Sequence, residues 1–290
     1  MLRKNYPSIL LPYYGRILLL SFLFLIPLEE HLVAQNIVGG FNAGKKKLNM
    51  AFSYTYEDFS EFYCGEEKMA VVVQDINIQS ATLYVEYGIT NRLDILANIP
   101  YISVRSSNEN FSSMSDLQDL SLHLKYALVD PVGTNPLQLT AGLGVILPIS
   151  DYDPLVPVTI GIHTRGIQFS AAGLYNLGNG MFVELTASQI FRNEDAPSSL
   201  EVTSKIGWAK NKYYAHVWYS KKQTFGGYDL GEPGFSLQTL QCNYDKLGVY
   251  GSYRLGSSVS VSLGGGYVLN GRNVGKSYCV STGIVANLNL

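Results

Sequence analysis

The residues of this chain that could do chemistry recur at every second position of short alternating segments. Ten ionisable or amide-bearing residues share the polar side of these segments: Glu86, Asp94, Asn98, His123, Lys125, Glu184, Glu201, Lys205, His216 and Arg254. Acidic and basic members are mixed, so the set predicts a polar surface without a dominant charge sign. These groups either face water or pair with one another across an interior.

The histidines argue against a metal centre and against catalysis. His31, His123, His163 and His216 show no metal-ligand spacing, so we expect no metal and no cofactor. A lipid hydrolase built on a Ser–His pair would need its histidine on the apolar side of a strand. His123 and His216 lie on the polar side, which favours a protein that is not an enzyme.

Two short motifs near residue 40 resemble sites but lack their context. The run "IVGG" at Ile37–Gly40 is similar to the exposed start of an activated trypsin-like protease, but no "GDSGG" or "AAHC" follows. The run "GGFNAGKK" at 39–46 is similar to a phosphate-binding loop, but Lys46 replaces the Ser or Thr that holds magnesium. We interpret both as chance matches.

The polar residues are positioned by alternating strands. From Leu83 to Ile89 and from Leu93 to Tyr101 every second residue is apolar, and a tight polar turn joins the two runs. Side chains of a strand point alternately to opposite faces, whereas a helix would place its apolar residues three and four apart. The sequence therefore predicts a hairpin with one apolar and one polar face.

The same alternation recurs to the end of the chain. It predicts twelve strands of about ten residues, the length that a tilted strand needs to cross a bilayer. The segments are 48–56, 83–89, 93–101, 120–128, 137–147, 167–177, 183–188, 200–208, 213–219, 247–255, 259–267 and 280–288. Short turns and long connections alternate between them, with an extra strand considered at Met69–Val73. This order is typical of an even-stranded membrane barrel with short periplasmic turns and long outer loops.

Aromatic residues indicate which face meets lipid. On the apolar side, rings lie near both strand ends: Tyr87, Tyr126, Tyr175, Trp208, Tyr213 and Tyr253 beside short turns, and Tyr54, Tyr56, Tyr101, Tyr219, Tyr267 and Tyr278 beside long loops. Two such rings bracketing an aliphatic belt are typical of the interfacial girdles of membrane barrels. We predict an all-β fold: a single transmembrane antiparallel up-and-down barrel, apolar outside and polar inside.

Composition and the N-terminus agree with an exported barrel. Charged residues are 15% of the chain, against roughly 25% in a typical soluble domain, and there are 21 Tyr and 28 Gly. A net charge of −2 offers no basic field for nucleic acid. Residues 1–35 have a basic start and a short apolar core at Ile17–Ile26, which predicts a signal peptide preceding a barrel over 36–290. Cys64 and Cys242 fall in long loops, where a bond between them stays open.

Three segments resemble a known family. They are "LYVEYGITNRLDILANIPY" (83–101), "SDLQDLSLHLKYAL" (115–128) and "LTAGLGVILPISD" (139–151). Their order resembles the bacterial outer-membrane barrels named for the meta-pathway of phenol degradation. The chain departs from that pattern at Gln118, His123 and Ser150, where the family usually has Gly. The resemblance covers about a quarter of the chain and implies transport of small, often aromatic or hydrophobic, compounds.

Together these observations predict an outer-membrane channel or transporter of a Gram-negative bacterium. A small solute would pass through a narrow polar lumen lined by the ten residues, past loops that hold Phe59, Phe62, Phe111 and Phe225. The alternative is a structural or adhesive barrel whose lumen is plugged and carries no flux. For the channel, we expect outer-membrane lipid and a small-molecule solute as partners, with association between protomers left open.

Overall fold

The computed structural model describes residues 37–70, 76–106, 113–130, 135–156, 159–193 and 196–290. In chain order the strands are β1 (Lys47–Phe59), β2 (Glu61–Cys64), β3 (Glu67–Ala70), β4 (Ile76–Gly88), β5 (Leu93–Ser106), β6 (Met114–Leu117), β7 (Leu120–Val129), β8 (Leu137–Leu147), β9 (Gly166–Gly178), β10 (Met181–Arg192), β11 (Ser198–Lys210), β12 (Tyr213–Phe225), β13 (Asn243–Arg254), β14 (Val259–Arg272), β15 (Val274–Gly275) and β16 (Tyr278–Asn289). A single turn of 3-10 helix spans Leu237–Thr239. The predicted signal peptide and Phe111 lie outside the described residues.

Twelve long strands close into one antiparallel barrel. Each pairs with its neighbour along the chain, β1 pairs with both β4 and β16, and the β4–β5 pairing completes the ring. Closure gives every strand two hydrogen-bonded neighbours, which is the condition for a sheet to span lipid. The predicted twelve-stranded up-and-down barrel is confirmed.

The two faces of the barrel are arranged as the sequence predicts. Leu124 is 49% exposed on the outer wall, whereas its neighbour Lys125 is 1% exposed on the inside. The same contrast holds on the far side of the barrel, where Val261 is exposed and Ser260 is buried. The apolar side chains therefore form the outer surface and the polar ones line the interior.

The aromatic girdles also lie where the sequence places them. Eleven of the twelve predicted rings are exposed: Tyr54, Tyr56, Tyr101, Tyr126, Tyr175, Trp208, Tyr213, Tyr219, Tyr253, Tyr267 and Tyr278. Tyr87 is half-buried. Amphipathic rings at both strand ends suit the two interfaces of a bilayer, and the aliphatic belt between them suits its hydrocarbon core.

The connections differ sharply at the two ends of the barrel. At the periplasmic end, tight turns reverse the chain, and one of them places Asn179 between two glycines, all three with positive φ. At the other end the long loops add a small sheet in the order β15–β2–β3 and the strand β6, which pairs with the outer half of β5. The twelve predicted segments did not include these four short strands. The extra strand considered at Met69–Val73 overlaps β3 at Met69 and Ala70, and residues 71–73 lie outside the described residues. No helix in the described residues is long and apolar enough to cross a membrane.

An arginine placed on the outer wall tests this orientation. Val249 lies near the middle of β13 and is 57% exposed, whereas Leu255 lies just beyond its periplasmic end. We expect Val249→Arg to destabilise the protein by about 2–4 kcal/mol and Leu255→Arg by about 0–1 kcal/mol, because the cost depends on depth in the bilayer. Denaturant unfolding in phospholipid vesicles measures both. Equal effects of the two substitutions would contradict the proposed position in the membrane.

Candidate functional site

A buried lysine organises the periplasmic half of the lumen. Lys125 on β7 contacts the Glu86 carboxylate on β4 directly, and its Nζ lies 3.2 Å from Asp94 Oδ2 on β5. All three side chains are almost completely shielded from solvent. A buried ammonium is costly unless carboxylates compensate it, so these three residues must be considered as one unit.

A second ion pair joins two neighbouring strands on the inner face of the barrel. Lys205 Nζ on β11 is 2.8 Å from Glu184 Oε1 on β10, and the two residues are cross-strand partners. Both side chains are buried. The predicted lumen charges therefore pair mainly with each other.

The chain before β1 enters the barrel and uses the same charges. We call residues Ile37–Ala43 the plug segment. Its Gly40 N–H donates to Glu184 Oε2 at 3.0 Å, and its Ala43 N–H donates to Asp94 Oδ2 at 3.2 Å. Lys125 Nζ donates to the carbonyl of Phe41 at 2.7 Å. The plug segment, which contains the "IVGG" run, is thus held in the lumen by hydrogen bonds of its backbone groups.

Apolar contacts position the plug segment as well. Val38 is fully buried, and a Cβ built at Gly142 on β8 would lie 2.7 Å from one of its methyl carbons. The Phe41 ring meets Phe182 edge-to-face at 5.4 Å between centroids. Gly142 therefore provides the space in the wall that Val38 fills.

The remaining predicted lumen residues have different surroundings. His123 is 2% exposed and its ring covers Gly144, where a Cβ would be only 2.2 Å from Nδ1. Neither ring nitrogen of His123 has a hydrogen-bond partner among the described residues. His216 is buried and stacks on Tyr250, with 5.3 Å between ring centroids. Both histidines are buried on the polar side of their strands.

Three further residues complete the predicted set. Asn98 is buried on the inner wall beside the central cavity. Glu201 is half-buried in the outer half of the barrel and accepts a hydrogen bond from Ser220 Oγ at 2.6 Å. Arg254 is exposed at the periplasmic end of β13, so it does not join the buried charges.

A cavity of about 420 Å³ lies above the plug segment. One side is aromatic, formed by Tyr214, Trp218 and Tyr250. Small residues from β1, β14 and β16 line it as well: Ser53, Ser262, Gly264, Gly266 and Ser281. The Tyr250 ring lies over Gly264 and the Trp218 ring over Gly266, 3.2 Å and 3.0 Å from a Cβ built there. We did not predict this aromatic side, although Tyr214, Trp218 and Tyr250 share the polar parity of their strands; that parity is the signal which could have found it.

The loops cover the outer end of the barrel with an extracellular cap, which we define as β2, β3, β15 and the loop 226–242. Asn273 joins its parts: Nδ2 donates to Asp229 Oδ1 and to the Gln241 carbonyl, both at 2.8 Å, and Oδ1 accepts from the Gly65 N–H at 2.8 Å. The Arg272 guanidinium forms an ion pair with Asp229. Polar contacts of this one asparagine thus join the β2–β3 turn to the loop 226–242.

Apolar packing continues inward from the cap. Phe59 and Phe62 pack with Ile78 and with Tyr152 and Ile160 of the loop 148–165, and all five are buried. The departure from the family pattern at Gln118 has a role here, because Gln118 Nε2 donates to the Ile160 carbonyl at 2.6 Å. Tyr152 and Ile160 of this loop therefore pack against the inner apolar side chains at the outer end of the barrel.

The described residues contain no group of three metal-ligating side chains. Cys64, Cys242 and Cys279 are all free thiols, so the bond considered between Cys64 and Cys242 is not formed. The lumen is lined by paired charges, aromatic rings and the plug segment.

A closed antiparallel barrel with an apolar belt, two aromatic girdles and a charged interior defines an outer-membrane β-barrel. Its sequence matches the family described as "Putative MetA-pathway of phenol degradation" over residues 70–240, more than half of the chain. The chain belongs to this family, as the three quoted segments predict. No curated protein sequence matches it.

Solved structures support the fold. An outer membrane channel from Pseudomonas putida F1 superposes with a TM-score of 0.71 at 16% identity, covering 84% of this chain and 96% of that one. The NanC porin gives 0.51 at 7% identity, covering 83% and 100%. The beta domain of the Bordetella autotransporter BrkA gives 0.51 at 13% identity, covering 84% and 100%. At these identities the likeness concerns the barrel itself.

The cap should loosen in acid. Burial alone would raise the pKa of Asp229, but hydrogen bonds from Arg272 and Asn273 outweigh it and hold that pKa below its ordinary value. The stabilisation is therefore present above about pH 4 and is lost as the pH falls through the lowered pKa. Hydrogen exchange at the Gly65 amide, corrected for intrinsic rates, should speed up below that pH. In Asp229→Asn it should already be fast at neutral pH; unchanged protection in the variant would contradict this role.

Proposed function

We propose that this protein is an outer-membrane channel that passes small solutes, and that the arrangement described above is its closed state. One observation carries the proposal: the segment inside the lumen is held by hydrogen bonds to its backbone and by a few apolar contacts. Such a segment can leave without unfolding the barrel, because the β1 ladder begins after it at Lys47.

The lumen charges support a reversible plug. Lys125 is compensated by Glu86 and Asp94, and Lys205 by Glu184, with or without the plug segment. When the segment leaves, water can replace its three hydrogen bonds to these groups while the wall ions stay paired. The predicted residues other than Arg254 would then line a hydrated passage, and Asp94, Lys125 and Glu184 are the ones that also bind the plug segment.

The cavity supports a preference for ring-bearing solutes. Tyr214, Trp218 and Tyr250 contribute aromatic surface to its wall. A volume of about 420 Å³ falls within the usual range of ligand pockets. Small aromatic or hydrophobic compounds are therefore the class that we infer for the solute.

The export of the channel and its contact with lipid are inferred from its sequence. We infer that residues 1–35 direct export and are removed, that residues 36–290 form the barrel, and that the girdles contact outer-membrane lipid. The alternative of a structural or adhesive barrel requires that the plug segment stays in place under all conditions. Flux measurements on a protein with a controllable plug separate the two.

A reversible disulfide provides that control. A Cβ and the opposite sulfur of a disulfide are about 3 Å apart, which matches the 2.7 Å between a Val38 methyl carbon and a Cβ built at Gly142. In a background with Cys64, Cys242 and Cys279 replaced by Ser, Val38→Cys with Gly142→Cys should lock the plug when oxidised. We expect baseline conductance in planar bilayers after oxidation, and opening events after reduction.

The oxidised and reduced forms of the double variant are compared on the same molecule. The single variant Val38→Cys should not respond to the redox state. A variant lacking residues 37–43 should conduct continuously and allow liposome swelling by small solutes. Absence of conductance in both the reduced double variant and the deletion variant would refute the channel and leave the structural alternative.

A further inference from the structure

Two buried lysines lie in the outer half of the lumen, away from the plug segment. Lys222 on β12 and Lys246 on β13 are both less than 10% exposed, and their Nζ atoms lie 5.9 Å and 4.4 Å from the centroid of the same Tyr244 ring. Lys246 makes no ion pair within 4.0 Å with any carboxylate of the described residues. A ring face compensates an ammonium only in part, so Lys246 has room for an anionic partner.

Lys246 also lines the central cavity, next to its aromatic side. Gly248 lies two residues after Lys246, on the same face of β13. A Cβ built at Gly248 would lie 2.3 Å from the Trp218 ring. The indole thus packs against β13, and Trp218 and Lys246 both line the cavity. The cavity wall therefore carries an ammonium and an indole, which suit a carboxylate and an aromatic ring.

The other charges that line the cavity do not offer an equivalent site. Lys125 and Lys205 are compensated by Glu86, Asp94 and Glu184. Glu57 lines the cavity as well and has interactions of its own. Lys246 is therefore the cavity-lining ammonium that has no carboxylate within 4.0 Å among the described residues.

We propose that Lys246 binds the carboxylate of an aromatic acid whose ring packs against Trp218. This inference rests on the proposed function, since it names a solute class for the same cavity. It adds a charge requirement that the aromatic side alone does not impose. A neutral ring compound would leave the buried ammonium without its anion, and a small aliphatic acid would lack the contact with the aromatic side of the cavity.

Tryptophan fluorescence can measure binding directly. The chain has two tryptophans, and Trp208 lies on the outer wall, so Trp208→Phe leaves Trp218 as the reporter. The refolded protein in detergent is equilibrated with benzoate, benzyl alcohol or acetate. We expect saturable quenching by benzoate, with benzyl alcohol and acetate at least about tenfold weaker.

Substitutions at Lys246 separate charge from folding. Lys246→Met should weaken benzoate binding by about tenfold or more, and Lys246→Arg should retain it. Lys221→Met is the matched control, because Lys221 is exposed and pairs with Asp245 beside Lys246. Heat-modifiable migration on gels confirms that each variant is folded.

Equal affinity for benzoate and benzyl alcohol, or full benzoate binding by Lys246→Met, would overturn the charge requirement. Equal affinity for acetate and benzoate would overturn the contact with Trp218. Binding is measured at equilibrium and without flux, so its failure is distinguishable from failure of the channel. A barrel that conducts but ignores benzoate keeps the proposed function and loses this inference.

Discussion

The structure depends on one constraint: lipid cannot hydrogen-bond to a peptide group. Every backbone N–H and C=O of a spanning strand must therefore find a partner on a neighbouring strand. The β4–β5 and β1–β16 pairings meet this requirement by closing the ring. Once the sheet is closed, alternation along each strand allows only two surfaces, one facing lipid and one facing the interior.

The interior then has to accommodate charge at low solvent exposure. Lys125 is compensated by Asp94 of the adjacent strand β5 and by Glu86 of β4, and Lys205 by Glu184 of the adjacent strand β10. The carboxylates Asp94 and Glu184 still have acceptor capacity, and the plug segment supplies N–H groups to both. The same residues thus stabilise the wall and hold the segment that fills it.

The strands and their faces could be predicted because a period of two is a local property of the sequence. The lumen position of His123 and Lys125 follows from that period alone. The plug segment could not be predicted, because residues 37–43 have no alternation and their partners Asp94 and Glu184 are far away along the chain. The cap was missed for the same reason: Asn273 connects loops more than thirty residues apart, and short strands such as β2 and β15 depend on those contacts. Arg254 follows the parity rule but lies at a strand end, where parity no longer decides exposure.

The central claim is that this sheet spans a bilayer with its apolar face outward and its charged face around the lumen. Spin labels placed one at a time at residues 121–126 of β7 in lipid vesicles test it most directly. Accessibility to oxygen, which dissolves in hydrocarbon, should alternate, high at residues 122, 124 and 126 and low at residues 121, 123 and 125. A reversed alternation, or uniform accessibility along the strand, would contradict the account.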